Sequence, residues 1–348
     1  MNIIHESAIN KIYLMMGPSC NFHCKYCLQT PIKQNISDVS ISSKLYTYLD
    51  HLIDIREESQ QPLRVVFWGG EPLLYWYIIQ EFVLHYQDKL SYGIISNGSL
   101  LTQEKVDFCN KYGIRFTLSH DGPNTDKTRN VDVLKNEITL ELIQQLYPAL
   151  NAVISGYNAD YNALFDYWEK QYPNMPGHVE MLRVTWDMPE DLRNIDLTVY
   201  RNGLKNFFAD AAQEIKTDEW GSKASAAIKI IQRVHQSIKN QRYHFPKCHQ
   251  AERVLNVDLD GNLYVCHNSN IKIGHINDAR ADYLERYWKW IETRKKSECD
   301  TCEIRHYCQG GCPLDISNET CDLQKILYEE ALASYENNKD IWNEYIKD

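Results

Sequence analysis

Four short β-rich runs in the first 125 residues each end in a polar or glycine-rich motif. KIYLMM (11–16) leads into CNFHCKYC (20–27), RVVFW (64–68) into GGEP, YGIIS (92–96) into SNG, and IRFTLS (114–119) into SHDGP. Helical patterns separate them. Ile41, Leu45, Tyr48, Leu49, Leu52 and Ile53 repeat at helical spacing over 40–56, and an apolar helix follows at about 73–87. Thr102 reads as an N-cap with Glu104 in the first turn, and a further helix falls near 131–145. LNAVIS (150–155) and HVEMLRV (178–184) read as two more strands around a helix at about 160–170. Six β–α alternations predict a parallel sheet, which a doubly wound sheet and an incomplete (β/α) barrel both satisfy. In either architecture the C-terminal ends of the strands share one face, where ligand sites form. The four motifs therefore converge on one mouth.

The first motif carries the chemistry. Cys20, Cys24 and Cys27 place three soft thiolates on one loop. A [4Fe–4S] cube normally takes four cysteines, so three leave one iron open to an exogenous molecule. The plainer alternative is a zinc knuckle that borrows its fourth ligand elsewhere. No apolar run is long enough to span a bilayer, and MNIIHESAINK lacks the features of a signal peptide. A cytoplasmic chain is therefore expected, and its eleven cysteines read as metal ligands rather than disulfides. A net charge of −10 without a basic stripe argues against nucleic acid as a partner and permits a peptide or small molecule. The densest basic spot, RKK at 294–296, reads as a solvated helix face.

Cys20-x3-Cys24-x2-Cys27 after the first strand, with Tyr26 before the last cysteine and Gly69-Gly70-Glu71-Pro72 after the second strand, resembles the signature of radical S-adenosylmethionine (SAM) enzymes. The resemblance covers about the first 185 residues and implies a partial (β/α)6 TIM-type barrel. It also implies that SAM chelates the open iron and is cleaved to a 5′-deoxyadenosyl radical that takes a hydrogen atom from the substrate. Cofactors of this kind carry the difficult chemistry while the protein orients them. By the same resemblance, Gly69 and Gly70 let backbone approach the methionyl group, and Glu71 accepts from its ammonium. Ser96, Asn97, Ser119 and Asp121 match positions that contact ribose or carboxylate, and Tyr26 lies near adenine. Turn chemistry is the competing account of those four polar residues, since NG and DGP are strong turn formers.

Seven cysteines lie beyond Gly177. Cys299-x2-Cys302-x5-Cys308-x3-Cys312 taken alone has the spacing of a zinc ribbon. With Cys248-x12-Gly261-x4-Cys266 upstream and Cys321 downstream, residues 247–326 resemble the SPASM extension of radical SAM enzymes. That module implies two auxiliary [4Fe–4S] clusters, three in all with the SAM-binding one. Cys299, Cys302, Cys308 and Cys321 would hold one, and Cys248, Cys266 and Cys312 the other. Sulfatase-maturing relatives place another cysteine just upstream of Cys248, where this chain reads NQRYHFPK. His244, His249, solvent or the substrate itself would complete the shell. Cys109, left over, reads as a buried core residue.

The expected organisation is a radical SAM barrel over 1–190, a helical bridge over 191–246 with helices near 196–216 and 222–240, and a SPASM domain with a terminal helix over 247–348. The resemblance implies a maturase acting on a ribosomally made peptide or protein. An intramolecular crosslink, carbon–carbon or thioether, is the favoured product, because auxiliary clusters can take the second electron of a net two-electron oxidation. A formylglycine-generating, sulfatase-type maturase is the alternative within this chemistry. It is weakened by His267, which stands where those enzymes carry an aspartate after the Gly-x4-Cys cysteine. A non-enzymatic iron–sulfur or zinc module is the alternative of a different class, and it has no need of GGEP, SNG and SHDG at one mouth. The implied partners are a peptide or protein substrate and an external flavodoxin- or ferredoxin-like electron donor. With only about ten residues before the first strand, the expectation is that either a separate leader-recognition protein supplies recognition or the open side of the barrel grips the substrate directly.

Overall fold

The computed structural model describes residues 5–29, 39–56, 60–185, 188–241 and 250–346. Six parallel strands, β1 (Lys11–Met15), β2 (Arg64–Trp68), β3 (Ser91–Ser96), β4 (Arg115–Ser119), β5 (Ala149–Val153) and β6 (Gly177–Glu180), lie side by side in chain order. The helices between them are α1 (Ser43–Asp54), α2 (Trp76–Tyr86), α3 (Gln103–Lys111), the short α4 (Thr125–Arg129), α5 (Glu137–Leu146) and α6 (Tyr161–Gln171). This is the partial (β/α)6 barrel of the two architectures that the alternation allows. Alternation along each strand sorts its side chains between two surfaces. In β1, Ile12 and Leu14 are buried on the helix-packed side, whereas Lys11, Tyr13 and Met15 turn to the lumen and stay half-buried.

Two expected elements come out shorter. The helix near 131–145 starts only at Glu137, because the Asn136 side chain accepts from the Thr139 N–H and caps it there. HVEMLRV leaves the sheet after Glu180, and Leu182 and Val184 pack instead with Val153, Met188 and Leu192 in a small separate apolar cluster.

After β6, the short α7 (Glu190–Arg193) leads to two long helices, α8 (Leu197–Lys216) and α9 (Ser222–Asn240), which pack on each other. Helix α9 also lies against β6, the strand at one edge of the sheet. The chain then returns through α10 (Gln250–Arg253) to β7 (Val254–Asp258), which pairs in parallel with β1 from Lys11↔Val254 to Met15↔Asp258. An antiparallel ribbon, β8 (Asn262–Tyr264) and β9 (Lys272–His275), extends the same sheet to nine strands. The DLDGN stretch makes the β7–β8 turn: Asp258 Oδ1 accepts from the N–H groups of Asp260 and Asn262. Helix α11 (Arg280–Glu292), the one-turn α12 (Arg305–Cys308) and α13 (Glu319–Asn337) complete this part, with α13 packed on α8 and α9. No helix among the described residues is long and apolar enough to cross a membrane.

Candidate active site

The cysteine loop sits over the C-terminal ends of the strands and is tied to each of the other three motifs. Against GGEP the contact is backbone to backbone: Gly70 N–H donates to Gly17 O and Glu71 N–H to Ser19 O, both at 2.9 Å. A Cβ on Gly70 would stand 2.2 Å from Ser19 O, and one on Gly69, whose φ is +153°, 2.7 Å from Gly17 O. Both glycines thus clear room for the cysteine loop itself, a role their sequence context did not disclose. Against SNG the contact is through side chains. Asn97 Nδ2 donates to Asn21 Oδ1 at 3.0 Å, and Asn21 Nδ2 donates to Ser99 Oγ at 2.8 Å. Against the helix that follows SHDGP, Lys25 N–H donates to Thr128 O at 2.9 Å.

Glu71 knits the mouth together from within. Its buried carboxylate accepts from Leu73 N–H and Ser96 Oγ on one oxygen, at 3.0 and 2.8 Å, and from Asn97 N–H on the other, at 2.9 Å. Burial raises its pKa, and the three donors oppose that shift. A carboxylate has about four acceptor positions, so one remains for a ligand cation. The Ser96 hydroxyl also accepts from Gly98 N–H at 2.9 Å, which leaves it one acceptor position.

Asp121 has no exposed surface. Its Oδ2 accepts from Tyr26 OH (2.5 Å), Thr128 Oγ1 (2.6 Å) and Arg129 Nε (3.1 Å), and its Oδ1 accepts from Val153 N–H (3.0 Å). The Arg129 guanidinium also lies 5.2 Å from the Tyr26 ring centre. Tyr26, Asp121 and Arg129 therefore form one buried polar unit beside Cys24, whose thiol burial pushes up to about 11 while Arg129 pulls it down. Ser119, at the end of β4, pairs in register with Asn151 of β5. The buried Asn151 Oδ1 has no hydrogen-bond partner among the described residues, a vacancy that suits a polar ligand in the lumen.

Cys20 and Cys24 are half-buried and Cys27 is exposed. Cys20 Sγ accepts from the Phe22 N–H at 3.4 Å, as a thiolate ligand would. The C-terminal cysteines gather elsewhere: Cys266, Cys299, Cys302, Cys308, Cys312 and Cys321 all line one cavity of about 580 Å³. Tyr13 and Glu180 of the barrel lumen line it too. Within it, burial raises the Cys299 and Cys321 thiols first, and Cys302 adds to both while Cys321 adds to Cys299, so the three are neighbours. Cys266 and Cys312 instead both act on Arg183, which is ion-paired with Glu180. That pairing holds Glu180 down to about 2. Cys248, His244 and His249 lie outside the described residues. Among the described residues, no three His, Cys, Asp or Glu side chains close on a single ion. A mononuclear zinc site would need ligands about 2.3 Å from one centre, whereas a cube meets each thiolate through its own iron. The donor set fits iron–sulfur clusters in both places. Cys109 is buried on the core face of α3.

Sequence reasoning missed how His267 is held. Its ring stacks on Tyr13 at 4.0 Å and meets Trp68 edge-on at 4.9 Å, and its carbonyl accepts from both Trp68 Nε1 and Gln29 Nε2 at 3.0 Å. Burial above all, with Arg183 and Lys11 adding to it, pushes its pKa down to about 3. The ring thus joins the segment after β8 to β1 and β2, and the carbonyl joins it to Gln29 beyond the cysteine loop.

Comparison with known proteins agrees with this geometry. The Radical SAM superfamily model matches residues 14–157. The chain is 25% identical to the radical SAM cyclopropyl synthase TigE of Paramaledivibacter caminithermalis, over 94% of this chain and 75% of that one. It is 19% identical to a serine-type anaerobic sulfatase-maturating enzyme of Klebsiella aerogenes, over 91% of this chain and 84% of the other. Among solved structures, native anSMEcpe with bound AdoMet and Cp18Cys peptide superposes with a TM-score of 0.70 at 18% identity, covering 96% of this chain and 99% of that one. At that identity the structural likeness is one of fold.

Proposed function

We propose that the chain, which the Radical SAM superfamily model matches over residues 14–157, is a radical SAM enzyme of the SPASM-bearing, peptide-modifying type and forms an intramolecular crosslink in a ribosomally made peptide. Cys20, Cys24 and Cys27 would hold the SAM-binding cluster. The C-terminal cysteines would hold two auxiliary clusters, divided as Cys299, Cys302, Cys308 and Cys321 against Cys248, Cys266 and Cys312. When bound, these groups supply one-electron cleavage of SAM to a hydrogen-abstracting radical and an acceptor for the second electron.

The protein's own part is placement. Glu71 offers its remaining acceptor position, and Asn97 keeps the SNG turn against the cysteine loop. Ser119 and Asn151 present polar atoms to the lumen. The stacked Tyr13, His267 and Trp68 wall the lumen with aromatic surface that excludes water.

One observation carries the oxidative reading. Tyr13 and Glu180 of the lumen line the same cavity as six C-terminal cysteines, so a substrate held in the barrel faces the thiol-lined chamber directly. Similarity to a cyclopropyl synthase over 94% of the chain supports carbon–carbon bond formation in particular. Similarity to a sulfatase-maturating enzyme over 91% of the chain favours formylglycine formation as the second reading. The test is anaerobic reconstitution with SAM, a reductant and a peptide encoded beside the enzyme. A crosslink gives a product lighter by one pair of hydrogens that resists fragmentation between the joined residues and ignores a hydrazide probe. A hydrazide-reactive product selects formylglycine instead, and an unchanged peptide removes the crosslink.

A further inference from the structure

The floor of the barrel, at the opposite end from the cysteines, carries three cations, the half-buried Lys11 and Arg64 and the exposed Arg115, with no counter-ion among the described residues. Lys11 opens β1 and Arg64 opens β2, and the two are direct register partners. Arg115 opens β4, its register partner on β3 being Gly93. All three share the lumen face with Tyr13, Trp68 and Ser119, because alternate residues of a strand share a side. Gly93 leaves room for the Arg64 side chain: a Cβ there would stand 3.3 Å from Arg64 Nη2 and 3.5 Å from the backbone carbonyl oxygen of Arg115. A glycine inside a strand often marks a close approach of this kind. Among the described residues none of the three is ion-paired, and the buried Arg64 Nε has no hydrogen-bond partner. Lys11 lies 5.3 Å from the Tyr13 ring centre, so the floor continues upward into the stacked wall below the cysteine cavity.

Residues at this end of a parallel barrel ordinarily serve stability. Like charges set directly opposite across a ladder do the reverse. Lys11 and Arg64 both have lowered pKa values, from burial first and from the neighbouring cation second. A cost of that kind persists where function repays it. We propose that Lys11, Arg64 and Arg115 form a carboxylate receptor at the barrel floor, which grips an acidic group of the peptide substrate while the reacting residue stands higher in the lumen. The two guanidinium forks suit a carboxylate, and the ammonium adds a point charge. The chain as a whole carries a net charge of −10, so an acidic peptide needs a local cationic site of this kind to be held. The inference rests on the peptide-modifying reading above and specifies its substrate class.

The test is binding, which needs no turnover. Anaerobically reconstituted enzyme is titrated into fluorescein-labelled Gly/Ser decapeptides carrying either a Glu-Glu or a Gln-Gln pair, each as free acid and as C-terminal amide. One charge-assisted contact predicts about tenfold tighter binding of a carboxylate-bearing peptide. An advantage of Glu-Glu over Gln-Gln in the amides assigns the site to side-chain carboxylates, and an advantage confined to the free acids assigns it to a peptide C-terminus. Either advantage should fall below about twofold in Arg64→Gln. Arg64→Met should leave the melting temperature unchanged or raise it, since it removes an unpaired charge. Equal binding of all four peptides overturns the proposal, as does a lower melting temperature in Arg64→Met with peptide discrimination intact. If SAM is cleaved and acidic peptides bind but none is altered, the crosslinking reading fails while the receptor stands.

Discussion

At the scale of single residues, the mouth depends on groups with little tolerance for change. Gly70→Ala would set a methyl group 2.2 Å from a backbone oxygen of the cysteine loop, and backbone cannot step aside as a flexible side chain can. The expected result is a folded protein that has lost about four irons per chain and the SAM-induced change in its cluster's magnetic spectrum. Gly113→Ala is the control: its φ of +60° strains a new side chain, but nothing lies within 4 Å, so iron should be retained. Asp121→Asn is a different case. It keeps the shape but leaves Arg129 buried without a full countercharge, a change that costs about 3–5 kcal/mol when a buried pair is broken. The melting temperature should fall sharply, and Arg129→Met in the same chain should restore part of it by removing the stranded charge. The sequence marked Asp121 only as a position matching SAM contacts and gave no sign of the partners that hold it. The donors to its carboxylate sit on the cysteine loop, on α4 and on β5, and only folding assembles them.

At the scale of elements, local chemistry was legible wherever it alone decides the outcome. RVVFW is β2 as written, and Thr102 caps α3, its hydroxyl accepting from the Lys105 N–H. Legibility failed where packing decides. Nothing local announces that β6 stops at Glu180, because the next residues leave the sheet to fill the small cluster under Tyr26. Helix α8 gives the sharper example. Gly203 lies in its interior, where helix propensity favours alanine by about 1 kcal/mol. A Cβ there would stand 2.6 Å from Tyr161 N and 2.7 Å from Asp160 Oδ1, the oxygen that caps α6 by accepting from Ala163 N–H. Overpacking at such a crossing costs about 1–3 kcal/mol and endangers the cap as well. The clash should win. Gly203→Ala is expected to lower the urea midpoint, and a higher midpoint would show that α8 can shift away from α6 at little cost.

At the scale of the whole molecule, the C-terminal region is built onto the barrel's own sheet rather than beside it. Its cysteine spacing was visible in the sequence. The pairing of β7 with β1 was not, because those strands lie more than 200 residues apart and only register joins Lys11 to Val254. The consequence is that cluster loading and barrel stability should be linked. Six cysteines line a cavity of about 580 Å³ that side chains do not fill, and lost contacts around unfilled space destabilise a core. The thiols also divide by neighbourhood: Cys302 acts on both Cys299 and Cys321, whereas Cys266 and Cys312 share Arg183. If each neighbourhood holds one cube, ligand losses within a neighbourhood are redundant and losses across neighbourhoods add. Cys321→Ala should therefore lose about four irons per chain, Cys299→Ala on top of it almost none, and Cys312→Ala on top of it about four more. Each loss should bring faster proteolysis of residues 254–337 while the SAM-responsive spectrum of the cluster proposed on Cys20, Cys24 and Cys27 persists. Iron that falls by the same amount in all three variants would mean that these cysteines serve a single centre. The thiol-lined chamber would then offer a substrate radical one electron acceptor, not two.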